Sequence, residues 1–401
     1  MTSHNQSYLP FRGVENDPAL FPPLDISKRE IRYLELQPGI GQEPIVCRLH
    51  HISLDRIADD GIYDALSYCW GSIEQTVEVT VEFPSDNING ETVWAKSPYQ
   101  ITKNLGEAHL ACRDFEHVEK LWIDAICINQ SDAHEKTVQV SMMNLIYTAA
   151  KRVRIWLGPR DAFTSIFVRV IDVVRNFVKG EFPLRDLWIQ CSQRVRNDRI
   201  IEKLVRQAEP FVKDFEFMSE CPTRSKNQRL EAYELAIGVY QAYSRVIRFP
   251  WFSRIWVYQE LLLARKGRDM YPEAILMMGN QHRQWRNFCV GVDLINMDHL
   301  KSWCAEWWNI SSQKELLDSN RDFCSIWTAG CFVDDFSPSH LYEKRRKFSS
   351  IFYWTQHFSC SDPRDRLFAL VHICSEEGLM RDPRTQADYT KSLQEILLVC
   401  V

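Results

Sequence analysis

Several marks that would give away a function by composition are missing from this chain. No two of its 13 cysteines are spaced C-x-x-C, and their number is odd. That argues against a zinc ribbon and against a disulfide-stapled scaffold, and leaves reduced, mostly buried thiols. Strong charge of either sign is absent: the formal net charge is -5 over 401 residues, so no nucleic-acid footprint and no polybasic membrane patch is expected. No run approaches the ~20 consecutive apolar residues that span a bilayer, and residues 1–10 lack a charged segment followed by an apolar one. The expectation is a soluble, cytoplasmic chain without a membrane span. A phosphate loop is missing, Gly39-x-Gly41 lacks the third glycine and the following helix of a dinucleotide fingerprint, and no metal-ligand spacing is visible. Neither a metal nor a bound cofactor is expected.

What is present is a 45% hydrophobic chain able to fill a sizeable core. Its organising stretch is residues 121–158. Residues 121–128, Leu-Trp-Ile-Asp-Ala-Ile-Cys-Ile, are too continuously apolar for a half-exposed strand and read as a strand buried on both faces, ending at Asn129-Gln130-Ser131-Asp132. Asp132 can cap the next segment and Glu135 can reach back to it, while Val138, Met142, Leu145, Ile146 and Ala149 share one helical face. Val153, Ile155 and Leu157 then alternate up to Gly158-Pro159. This predicts a strand, a crossover helix and a parallel strand, with Trp122 and Trp156 buried.

Upstream, residues 1–29 are polar and proline-bearing, a poorly ordered lead-in. Residues 31–36 and 45–49 alternate at period two and predict a hairpin, and 78–93 predict another around Asn89-Gly90. A helix opens at Thr102 with Leu105, Ala108, His109 and Cys112 on one face. Between these lies residues 63–71, Tyr-Asp-Ala-Leu-Ser-Tyr-Cys-Trp-Gly, a strand-like run. Ligands of parallel α/β sheets bind beyond the carboxyl ends of the strands, which is where Ser67, Trp70 and Gly71 would stand. The competing reading has Trp70 filling a core slot and Gly71 only making a turn.

Downstream, a helical insert is expected over 160–248, with helical stripes in 163–178 and 230–247. In residues 250–263, Ser253 can cap a helix on which Trp256, Glu260 and Leu263 share a face. Glu260 is then a carboxylate on a mostly apolar face. A buried lone charge costs several kcal/mol, about as much as a lost hydrogen-bond network, so it has either a cationic partner or a ligand. Residues 274–278 read as one more strand. From 286 to 401 the pattern is mostly helical, with Asp362-Pro363 opening a helix; its last periodic segment stops without a C-cap, as in a truncated chain. Residues 30–285 thus form one α/β domain and 286–401 a helical annex.

The blocks YDALSYCWG (63–71), LWIDAICINQ (121–130), QVSMMNLIY with its WLG ending (139–158) and WFSRIWVYQE (251–260) together resemble the fungal heterokaryon-incompatibility (HET) domain family. DPRDRLFAL at 362–370 and Asp388-Tyr389 are similar to the region that follows the domain in such proteins. Cys69 stands where a small aliphatic residue is more usual. The resemblance implies a role in fungal non-self recognition and programmed cell death, self-association, and an incompatibility or NLR-type partner. HET domains are in turn similar to Toll/interleukin-receptor (TIR) domains, which implies a TIR/flavodoxin-like parallel sheet flanked by helices. Some TIR domains cleave NAD with a glutamate in a W-x-x-x-E helix, the spacing of Trp256 and Glu260, and have a serine-aromatic pair like Ser67-Tyr68. The long insert between Gly158 and Trp251 departs from that pattern.

On this reading Glu260 is the candidate catalytic residue and NAD the candidate substrate. Trp70 or Trp256 would stack on a ring, Ser67 would donate to ribose or phosphate, and Gly71 and Asp124 would complete the site. Asp124 can equally serve only to bond backbone amides at a strand end. A non-enzymatic, self-associating interaction module is the rival class. A nucleophilic enzyme using Cys69 or Cys127 with His134 is disfavoured, because an apolar run raises a thiol pKa.

Overall fold

The period-two runs of the sequence become strands of a mixed sheet. The computed structural model describes residues 20–161 (without 59, 89 and 90), 164, 165, 167, 168, 171, 172, 246, 249–289 (without 268–270) and 347–397. The chain divides into two compact units, 1–159 with 253–280 and 338–401 forming the first, and 160–252 with 281–337 the second.

In the first unit the strands are β1 (Glu30–Leu36), β2 (Val46–Ser53), β3 (Asp64–Ser67), β4 (Thr76–Ile88), β5 (Glu91–Thr102), β6 (Glu119–Trp122), β7 (Arg152–Gly158) and β8 (Ala274–Met278). They lie in the order β5-β4-β2-β1-β6-β3-β7-β8. Strands β6, β3, β7 and β8 pair in parallel, and β1 joins this half antiparallel to β6. The expected hairpins are both present, β1 with β2 and β4 with β5. Strand β3 is central, with every residue buried. It tolerates its one charge because Asp64 Oδ2 accepts from Arg152 Nε at 2.8 Å and from Arg154 Nε at 2.6 Å, a paired and hydrogen-bonded arrangement that a buried carboxylate requires.

Helix α1 (Lys103–Cys112) starts where expected, with Thr102 Oγ1 accepting from the Leu105 amide. The residues after β6 depart from the expected single strand. Only Glu119–Trp122 is extended, and Asp124–Cys127 closes into one helical turn, α2, in which the Cys127 and Ile128 amides bond back to Ile123 and Asp124. Continuous apolarity reports burial on all sides, and a short buried helical turn meets that condition as well as a strand does. The crossover that follows is broken at Met142 into α3 (Ala133–Ser141) and α4 (Met143–Ala149). Asp132 caps α3, accepting from the amides of His134 and Glu135. Glu135 does not close a capping box; it accepts from the Asn129 amide at 2.7 Å and from fully buried Arg32 at 2.6 Å. The crossover ends in a strand parallel to β6, but β3 lies between them. Trp122 and Trp156 are buried as expected.

Two expected helix starts are also displaced. Ser253 belongs to a short 3-10 turn, and α5 (Trp256–Leu262) begins after Ile255 without a side-chain cap. Asp362 and Pro363 form a turn, with the Arg364 amide bonded to Asp362 Oδ1 at 3.0 Å, and the helix proper starts at Asp365. Residues 348–397 form α6 (Phe348–Trp354), α7 (Asp365–Val371), α8 (Glu377–Arg381) and α9 (Leu393–Leu397). Leu367, Phe368, Val371, Ala387 and Ile396 make a core against which Val140 of α3 and Trp256 of α5 pack. Full burial of such a side chain contributes roughly 1.5–3 kcal/mol, so this part of the annex is held to the first unit by its own apolar face.

In the second unit the described residues include an aromatic cluster. Trp251 meets Phe252 edge-on at 4.9 Å and Trp285 at 5.9 Å, while Phe288 meets Trp285 at 4.9 Å and Phe167 at 5.8 Å. Most of the helical stripe in 163–178, the stripe in 230–247 and residues 290–346 lie outside the described residues.

Candidate functional site at the end of strand β3

Strand β3 ends at Ser67, and the chain then runs through Tyr68, Cys69 and Trp70 to Gly71. A parallel strand delivers its last residues to the rim of the sheet, where helices from neighbouring connections can reach them. Helix α5 brings Glu260 there. Ser67 Oγ donates to Glu260 Oε2, and Arg254 Nη2 lies 3.8 Å from Glu260 Oε1 while Arg254 Nη1 donates to the Tyr68 carbonyl. Glu260 is only 2% exposed. Burial lifts its carboxyl above the usual glutamate range, an effect that Arg254 and Ser67 oppose. Of the readings the sequence left open for Glu260, a cationic partner is therefore present. Arg254 was not singled out from sequence, although the requirement that a buried carboxylate be paired pointed to some such cation.

Asp124 forms a second cluster on the same rim. Its Oδ1 accepts from the Tyr68 hydroxyl at 3.0 Å and from the Ala125 amide at 2.8 Å, and its Oδ2 accepts from the Trp70 indole at 2.9 Å. Tyr68 is buried, and burial foremost, with Asp124 adding to it, pushes its phenol far above the usual range. Asp124 thus bonds more than a backbone amide: it holds both aromatic groups that follow β3. Tyr68 ties the clusters together, giving its carbonyl to Arg254 and its hydroxyl to Asp124.

Gly71 makes the turn that ends this segment, with φ +79°, a conformation that other residues adopt only under strain; a Cβ there would lie 3.1 Å from Asn104 Cβ. Asn104 in turn donates to the Cys69 carbonyl at 2.6 Å and accepts from the Trp156 indole at 3.0 Å. Trp70 is half-buried, so it does not fill a core slot; with Tyr68, Tyr99 and Gln130 it lines a small, apolar cleft of about 10 Å³, which Ser67 and Glu260 do not line. Trp256, one turn before Glu260, points elsewhere. It packs on the α7 core. The structure brings Ser67, Glu260, Trp70, Gly71 and Asp124 to one rim and places Trp256 apart from them.

Neither of the two cysteines weighed as a nucleophile is activated. Cys127 is buried, its sulfur accepts from the Ile123 amide at 3.3 Å, and burial pushes its thiol up to about 12; burial also raises Cys69. Both move away from a thiolate nucleophile. His134 is exposed. The described cysteines, Cys47, Cys69, Cys112, Cys127, Cys289, Cys360 and Cys374, are all free thiols. Among the described residues no helix is long and apolar enough to cross a membrane, and no group of His, Cys, Asp and Glu is arranged to hold a metal ion.

A mixed, largely parallel sheet with helices packed on it and a polar constellation at its strand-end rim defines an α/β protein with a strand-end site. Residues 63–260 match the family described as "Heterokaryon incompatibility protein (HET)", the span that runs from the start of the β3 segment to Glu260 itself. The match covers 198 of the 401 residues and bears out the resemblance read from the sequence over that span. It is 27% identical over 244 residues to heterokaryon incompatibility protein 6, OR allele, of Neurospora crassa, a match covering 58% of this chain and 32% of that protein. The chain therefore spans about a third of the length of that relative. No solved structure matches it.

Proposed function

We propose that this HET domain is an effector of non-self recognition that acts in the cytoplasm by hydrolysing NAD, and that self-association brings it to its active state. The observation that carries the reading is the buried Glu260 carboxylate, held between the Ser67 hydroxyl and the Arg254 guanidinium at the strand-end rim. In the reaction the bond from ribose C1′ to the nicotinamide nitrogen breaks and its electron pair leaves with nicotinamide. Glu260 stabilises the oxocarbenium-like charge on the ribose, water adds to C1′, and the proton lost from that water passes to Glu260 and then to solvent, leaving ADP-ribose. Because Ser67 occupies one carboxylate oxygen, substrate entry requires that hydrogen bond to open. Trp70, at the cleft, supplies a ring face for stacking, and Asp124 holds its indole in place. Cell death would follow from loss of NAD.

The burial of Glu260 also favours a second reading, in which Ser67, Arg254 and Glu260 are a structural network in a non-enzymatic interaction module. The two are separated by incubating the purified, oligomerised protein with NAD and following nicotinamide release. The enzymatic reading expects release by the wild type and its loss in Glu260→Ala and Glu260→Gln. Absence of release by the oligomerised wild type leaves the interaction module, in which Glu260→Gln still kills cells.

A further inference from the structure

The segment after β3 is held from two sides by side chains of distant elements. The Tyr68 carbonyl accepts from Arg254 Nη1, and the next carbonyl, that of Cys69, accepts from Asn104 Nδ2 at 2.6 Å. The Cys69 carbonyl and the Trp70 amide belong to one planar peptide group, so the Asn104 bond fixes the plane from which the Trp70 side chain departs. Asn104 stands in the first turn of α1. The chain beyond Trp70 is tied to the same place: Gly71 packs closely against Asn104 Cβ, and the Lys103 amide donates to the Gln75 carbonyl at 2.8 Å.

The Asn104 carboxamide can face only one way. An indole N–H donates and cannot accept, so Trp156 Nε1, 3.0 Å away, selects the carboxamide oxygen and turns the Nδ2 donor toward Cys69. Strand β7 thus orients Asn104, and Asn104 sets Trp70. The cleft beside Trp70 is built from the same two pieces. Tyr68 and Trp70 line it from the segment after β3, and Ile101, Thr102 and Leu105 line it from the end of β5 and the start of α1. Asn104 is a bond from one wall to the other.

We infer that Asn104 is a positioning residue for Trp70, fixing the width of the cleft and the angle at which the indole is offered to a substrate ring. The consequence for substrate rests on the proposed NAD chemistry, but the geometry does not.

The test reads solvent exchange of the Trp70 indole proton by NMR of the isotope-labelled full chain, the signal being assigned with Trp70→Phe. That proton is the one donated to Asp124 at 2.9 Å. Asn104→Ala and Asn104→Asp both lack the donor to Cys69 and are expected to speed the exchange about five- to tenfold, as loss of one hydrogen bond would. Trp156→Phe keeps the carboxamide but frees its orientation, so it gives a smaller rise, and none when added to Asn104→Ala, because the two act through one bond. Cys112→Ala, on the buried face of the same helix, leaves the Trp70 signal as in the wild type. KM for NAD rises by a similar factor in the Asn104 variants with kcat unchanged. Unaltered indole exchange in both Asn104 variants overturns the inference, as does an equal rise in Cys112→Ala, additivity of Asn104→Ala with Trp156→Phe, or a fall in kcat at constant KM. Should the Asn104 variants fail to fold, Trp156→Phe decides by the same signal. If the wild type releases no nicotinamide, the NAD reading fails while the indole exchange still decides the role of Asn104.

Discussion

Glu260 and Asp124 are carboxylates on the same rim, one carried by helix α5 and the other two residues past the end of β6, and they live in opposite conditions. Asp124 is half-buried and satisfied by three neutral donors, the Tyr68 hydroxyl, the Trp70 indole and the Ala125 amide. Glu260 is buried against one hydroxyl and a cation 3.8 Å away, and burial moves its carboxyl toward the neutral form. A fully satisfied group is a structural fastener, whereas a desolvated, incompletely paired one keeps free energy in reserve for a charge that arrives later. The comparison assigns scaffold work to Asp124 and chemistry to Glu260.

The comparison breaks most readily at Arg254. Arg254→Ala leaves Glu260 buried with no cation, and unfolding in urea at neutral pH is expected to show a loss of about 3 kcal/mol, the lower end for an orphaned buried charge because Arg254 is itself 22% exposed. A loss under half of that would mean Glu260 is already neutral or solvated in the wild type. Asp124→Ala orphans a buried phenol and an indole together, with an expected loss of about 2 kcal/mol and a red-shifted Trp70 emission; no change in either signal would remove Asp124's role as fastener.

Gly71→Ala bears on the turn that both clusters share. Left-handed backbone costs a residue with a Cβ about 1–2 kcal/mol, and the contact at 3.1 Å with Asn104 adds crowding. Thermal unfolding at wild-type temperature would show that the turn relaxes freely. The smallest effect is a matter of sign. A carboxyl whose folded pKa is raised holds its proton more tightly folded than unfolded, so its contribution is complete below the ordinary value of 4.5 and is lost as pH rises through the folded value. Glu260→Gln removes that titration. Its stability relative to wild type is therefore expected to improve steadily as pH rises from the ordinary glutamate range through the raised one, and a flat difference in urea midpoints across that range would contradict the burial effect.

Much of the fold could be read from the residues. Alternation gave away β1, β2 and the long β4–β5 hairpin, Thr102 and Asp132 marked the starts of α1 and α3, and the serine-aromatic end of β3 stood where a rim site was expected. The failures share a cause. Residues 121–128 read as a strand because every side chain is apolar, but apolarity records burial and not backbone shape; the Asp124 side chain bonding the next amide helps turn that run into α2. Trp256 and Glu260 share a W-x-x-x-E spacing, yet one packs on the α7 core and the other meets Ser67. Spacing places side chains on a helix and says nothing about which neighbour each will meet.

Sequence by itself therefore determined the α/β class, the segment that ends at the rim, and the need for a partner to Glu260, because period, capping and charge burial are local rules that a single chain obeys wherever it goes. Only the tertiary structure decided that β3 lies between β6 and β7, that Arg254 is the partner, and that Ser67 meets Glu260 across 193 residues of chain. Those are choices among many contacts of similar local quality, and they are settled by packing the whole core at once.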